Sequence, residues 1–153
     1  MMKRTPIALS RRHQWWLYGT LVILLLTGLV WAALHYYFRA AEDDVSAWEP
    51  RLMKLHGAAA MLSLLMLGTL VPLHIKRAWH ARKNRLTGAV MIGWFAVLTI
   101  TGYGLYYSGS EWMRQWTSWI HLGAGVLIVP LLIWHVLVGW RVMKRGKVVT
   151  IKW

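Results

Sequence analysis

Residues 120–135 read IHLGAGVLIVPLLIWH. Nearly every position is apolar, yet a histidine stands one place from the start and another closes the run, fourteen residues apart. An imidazole inside hydrocarbon is costly unless something uses it. Fourteen helical residues rise about 21 Å and bring both rings within about 40° of one face. The bilayer's hydrocarbon core is ~30 Å thick, so two rings so placed serve sites at two depths.

Working outward, the 153-residue chain is 58% hydrophobic and carries twelve tryptophans. Charged residues are only 15%, against about 25% in soluble domains. Four apolar runs, at about 14–38, 52–75, 87–108 and 117–140, each approach the ~20 residues that a spanning helix needs. They are continuous and leucine-rich, not alternating, which argues against strands. The expected fold is all-α: a single integral-membrane domain over residues 1–153, built as a four-helix bundle. The first run has an arginine-rich front and the small residues of VWAAL, as a cleaved signal would. It continues through HYYF, too far for an ordinary signal, so an uncleaved first helix is expected.

The net charge of +13 invites a nucleic-acid reading, but the basic residues lie between apolar runs and not on one folded face. Lys3, Arg4, Arg11 and Arg12 precede the first run. Lys76, Arg77, Arg82, Lys83 and Arg85 separate the second from the third, and Arg141, Lys144, Arg145, Lys147 and Lys152 follow the fourth. The other two connections hold Arg39, Arg51, Lys54 and Arg114 with all five acids, Glu42, Asp43, Asp44, Glu49 and Glu111. The positive-inside rule then predicts both termini on the cytoplasmic side. The same charge attracts anionic lipid. Trp15, Trp16, Trp79 and Trp140 are expected at the inner interface, and Trp48, Trp112, Trp116 and Tyr107 at the outer one.

The chain also resembles itself. LLLTGLVW, WEPRLMKLHGAAAML and LHIKRAW find counterparts in LTITGYGLYY, WMRQWTSWIHLGAGVL and WHVLVGW. Thr27-Gly28 matches Thr101-Gly102, His56 matches His121, and His74 with Trp79 matches His135 with Trp140. Parallel repeats of a helix pair predict a pseudo-two-fold axis along the membrane normal.

His56 and His74 are eighteen residues apart, five turns or about 27 Å on one face. A zinc-protease helix needs histidines at i and i+4, and no such pair exists here. Each long helix offers one imidazole toward the outside and one toward the inside. His56 would meet His121 in an outer layer, and His74 would meet His135 in an inner one. A planar macrocycle with a central iron fits between two such rings. With both axial positions filled, the iron passes electrons and does not activate oxygen. Two haem b groups at two depths would form a wire across the membrane.

These residues carry a resemblance to the di-haem cytochromes b, which include b561-like proteins and the membrane subunits of formate dehydrogenase and nickel–iron hydrogenase. IHLGAGVLIVPLLIWHVLVGW resembles their last ligand helix and LHGAAAM their second. The resemblance implies electron transfer between a quinol or inner donor and a periplasmic redox protein or oxidoreductase subunit. It also implies that the chain is such a subunit more than a stand-alone enzyme. In those families a histidine near the inner start of the first helix often supplies the fourth ligand, here His13. The internal repeat points to His74 instead, although its spacing exceeds that of His121 and His135 by about one turn. Helix tilt or distortion near Pro72 would absorb the difference.

Other residues have plainer readings. His35 lacks a counterpart in the repeat and reads as an interfacial residue or a support to a ligand, and His80 as a solvated loop residue. Gly57, Gly68, Gly123, Gly125 and Gly139 suit either a macrocycle against backbone or close helix packing. Arg51, Lys54, Arg77 and Arg141 are candidate propionate partners, or else topology signals. Met53, Met61, Met66 and Met91 read as core or lipid-facing, and Pro72 and Pro130 as kink sites. The absence of cysteine excludes disulfides, cysteine-held iron–sulfur clusters and c-type haem attachment. No nucleotide-binding loop or catalytic triad is present. Two rivals stand beside the cytochrome: a membrane protein handling copper or zinc through His and Met, and a non-redox anchor subunit.

Overall fold

The computed structural model describes residues 9–38 and 46–148, and every described element is helical. Lys3, Arg4, Arg39, Glu42, Asp43, Asp44 and Lys152 lie outside the described residues, as do the side chains of Arg145 and Lys147. The order is α1 (Arg11–Tyr36), α2 (Trp48–Leu70), a π-helical turn (Val71–Ile75), α3 (Lys76–His80), α4 (Arg85–Tyr107) and α5 (Glu111–Val148). Four helices are long and apolar enough to cross a membrane: Arg11–Tyr36, Trp48–His80, Arg85–Tyr107 and Glu111–Lys144. The chain is thus a multi-pass membrane protein by helix length and composition.

The helices outrun the apolar segments that announce them. The second starts at Trp48, not 52, and the last at Glu111, not 117. Hydropathy marks the hydrocarbon-facing part, while the helical hydrogen bonds continue into polar and aromatic interface turns. The first helix stops at Tyr36, leaving Tyr37 and Phe38 beyond it. Its start is set by Ser10, whose hydroxyl accepts from the His13 backbone N–H at 3.3 Å. The π-helical turn contains Pro72. Proline has no N–H and crowds the carbonyl four residues back, so the helix widens by a residue there. Pro130 lies inside α5, which continues through it.

The chain divides into two compact units, residues 1–76 and 77–153. The first is an antiparallel hairpin of α1 and α2. Its seam is made of small and hydroxyl residues, with Thr20, Thr27, Ala32, Ala59 and Ser63 buried beside Leu17 and Leu70. Thr20 reaches Met66 Sδ at 3.9 Å. Small side chains let helix backbones approach closely where hydrocarbon provides no hydrophobic drive.

The second unit is a hairpin of α4 and α5, sealed by Thr87, Met91, Ala124 and Ile128. Trp94 Nε1 donates to the Ala124 carbonyl at 2.9 Å across it. The approach to α4 turns through Arg82 and Asn84 at φ of 53° and 51°. The Arg85 guanidinium covers the end of α3, donating to the Trp79 carbonyl at 2.6 and 3.0 Å over the Trp79 ring.

Large apolar side chains cover the outsides, among them Leu65 at 69% exposed, Ile100 at 70% and Tyr103 at 65%. In water such a surface would be untenable. Lipid accounts for it. Trp15, Trp16, Trp48, Trp79, Trp112, Trp116 and Trp140 are all exposed near helix ends, as interfacial residues are.

Candidate functional site: threonines that hold histidines

Within each hairpin, the antiparallel register carries a threonine of the first helix to a histidine of the second. In the first hairpin Thr27 Oγ1 is 2.9 Å from His56 Nδ1. In the second, Thr101 Oγ1 is 2.9 Å from His121 Nδ1 and Thr87 Oγ1 is 2.8 Å from His135 Nδ1.

Each threonine's other bonds fix the direction of these contacts. The Thr27 hydroxyl donates to the Ile23 carbonyl at 2.7 Å, and that of Thr101 to the Val97 carbonyl at 2.7 Å. The Thr87 hydroxyl donates to Asn84 Oδ1. A hydroxyl has one proton. With it committed, the threonine oxygen accepts, and the histidine donates from Nδ1–H. All three imidazoles are thereby set in the tautomer whose basic nitrogen is Nε2. Metal-ligating histidines have the same arrangement: the ring nitrogen away from the metal gives its proton to an oxygen acceptor, which fixes ring orientation and raises ligand basicity.

A glycine follows each threonine, and it has a steric role. A Cβ on Gly28 would lie 3.4 Å from His56 Cε1, one on Gly102 3.4 Å from His121 Cε1, and one on Gly88 3.9 Å from His135 Cε1. The ring edge therefore rests against the bare backbone of the neighbouring helix. The Thr-Gly pairs at 27–28 and 101–102 are visible in the sequence as counterparts. The third, at 87–88, has the same signature, but sequence reading overlooked it.

His13 and His74 differ from these three. His13 lies in the first turn of α1, with Nδ1 3.4 Å from Ser10 Oγ and Nε2 3.5 Å from Thr69 Oγ1. His74 lies in the π-helical turn. Of the proposed propionate partners, Arg51 is stacked over the Trp48 ring at 5.1 Å, Lys54 and Arg141 are exposed, and Arg77 is half-buried. A Cβ at Gly68, Gly123 or Gly125 would meet nothing within 4 Å, whereas one at Gly139 would lie 3.4 Å from Asn84 Nδ2.

Sequence reasoning also missed Glu49. Grouped there with the loop acids, it lies in the first turn of α2 and is 4% exposed. His35 Nδ1 is 3.0 Å from Glu49 Oε2, and the His35 ring stacks on Trp31 with centroids 4.5 Å apart. The pair joins the helices about two turns beyond Thr27 and His56. His80 ends α3 and is exposed.

Among the described residues, no three or more histidine or acidic side chains gather in a group able to hold a metal ion. Comparison with known protein families, curated proteins and solved structures finds no match.

Proposed function

We propose that the chain is a di-haem b-type membrane cytochrome, a four-helix bundle of two repeated helix pairs with both termini cytoplasmic. The single observation that carries this is the contact of His56, His121 and His135 through Nδ1 with a threonine oxygen on the neighbouring helix. Three half-buried imidazoles are oriented through Nδ1, an arrangement that would leave Nε2 as the nitrogen to coordinate iron. A packing histidine has no need of one repeated tautomer.

The donor set suits haem iron better than copper or zinc. Structural zinc takes four protein ligands and catalytic zinc three, which the scattered histidines do not supply. Haem iron needs no more than two protein ligands, which histidines taken in pairs would supply. His56 and His121 would ligate one haem, and His135 with a fourth histidine would ligate the other. The haems supply reversible one-electron transfer when bound. The chain's own residues would hold the imidazole rings and set the basicity of their nitrogens.

For the fourth ligand, helix spacing favours His13 over His74. His121 to His135, Thr101 to Thr87 and Thr27 to His13 are all fourteen residues, about 21 Å along a helix. His13 therefore falls at the depth in the first hairpin that Thr87 has in the second. Its neighbour across the seam is Thr69, so histidine and threonine exchange helices at this level. His74 lies further along, within the π-helical turn.

The electrons would pass between a quinol or inner donor and a periplasmic-side redox partner in a bacterial inner membrane. Titration of quinol-driven haem reduction with quinone-site inhibitors tests the donor. The ligand assignment is tested by single substitution. His121→Ala and His135→Ala should each remove one haem of two from purified protein. Unchanged haem content in both would reject the assignment.

A further inference from the structure

His135 is gripped at two points by one residue, Asn84. Asn84 Nδ2 donates to the His135 backbone carbonyl at 3.2 Å. Asn84 Oδ1 accepts from the Thr87 hydroxyl, and Thr87 Oγ1 accepts in turn from His135 Nδ1. The bonds close a ring that starts and ends on His135. The amide orientation is not arbitrary, since only with nitrogen toward the carbonyl and oxygen toward Thr87 are both bonds made.

Two features of the backbone make the ring possible. Asn84 adopts φ 51°, ψ 40° as it leads into α4, a left-handed conformation that asparagine tolerates better than most residues. Gly139 leaves room for the amide, since a Cβ there would stand 3.4 Å from Nδ2. Gly139 thus serves the approach of Asn84 to α5. The hydroxyls of Thr27 and Thr101, by contrast, end on carbonyls of their own helix.

We infer that Asn84 is a positioning residue that fixes the His135 ring and tunes the inner haem separately from the outer one. This rests on the cytochrome reading. Hydrogen bonds in a chain polarise one another. An acceptor on Nδ1–H makes the imidazole a stronger donor to iron and favours the oxidised metal. Loss of Asn84 therefore weakens the hold on His135 Nδ1–H and raises the potential of that haem alone.

The test uses two variants that keep the backbone. Asn84→Gly tolerates the left-handed conformation and removes both arms. Asn84→Asp tolerates it as well, keeps an acceptor for Thr87 and loses the donor to the carbonyl. In potentiometric titration of full-length protein, Asn84→Gly should retain two haems, raise the midpoint of one and leave the other at its wild-type value. Asn84→Asp should not raise it. Equal shifts in both haems, or no shift in either, would overturn the proposal.

Wild-type protein without haem would reject the functional reading instead. The ring is then read by nitrogen NMR of 15N-histidine-labelled protein. Wild type should show His135 as the Nδ1–H tautomer, and Asn84→Gly should show a mixture. An unchanged tautomer overturns the role of Asn84.

Discussion

Thr101 Oγ1 and His121 Nδ1 stand 2.9 Å apart, with the threonine proton already given to the Val97 carbonyl. Thr101→Val keeps the shape and removes the acceptor. Leaving the imidazole N–H without that acceptor costs about 1–3 kcal/mol. Loss of such a support typically weakens metal binding by about 10–100-fold. Haem-binding titration of the Thr101→Val apoprotein should show weakening of that order at one site. Thr27→Val should weaken the same haem, because His56 and His121 would share it.

Glycines 28 and 102 set a size limit. An added Cβ at Gly102 falls at ordinary contact distance from His121 Cε1. Gly102→Ala should therefore keep both haems. Gly102→Leu pushes further atoms into the ring and should lose the outer haem, with helix content unchanged by circular dichroism. Retention of both haems in Gly102→Leu would show that the ring does not depend on this backbone.

His13 and His74 make opposite predictions. His13→Ala should leave one haem per chain by pyridine haemochrome assay, and His74→Ala should leave two. The reverse pattern would assign the fourth ligand to the π-helical turn.

His35 and Glu49 join the two helices of the first hairpin. Removing one partner of a buried polar pair leaves the other exposed to its desolvation penalty, about 1–3 kcal/mol. His35→Ala should lower the thermal unfolding midpoint in detergent while the haem count stays at two. Loss of a haem in this variant would place the pair within the ligand system.

Much of the fold could be read from hydropathy, because a spanning helix must be apolar over a length that the bilayer fixes. Its ends could not, because Trp48-Glu49 and the turn from Glu111 are helical without being apolar. His56, His74, His121 and His135 drew notice by their spacing and by the internal repeat. Their threonines did not all do so, since a bond from Thr87 to His135 depends on the register of two helices. Thr87-Gly88 nonetheless repeats the dipeptide at 27–28 and 101–102. Glu49 was hidden for a similar reason: its neighbours in sequence are polar, and only its partner across the seam shows that it is buried. His74 aligned with His135 as a motif, and the π-helical turn with Pro72 in which it lies could not be read from that alignment.

The most direct measurement is haem stoichiometry on folded full-length protein purified from haem-replete cells, with its reduced-minus-oxidised spectrum. Two low-spin b haems per chain are predicted. Well-folded protein that carries no tetrapyrrole would contradict the account.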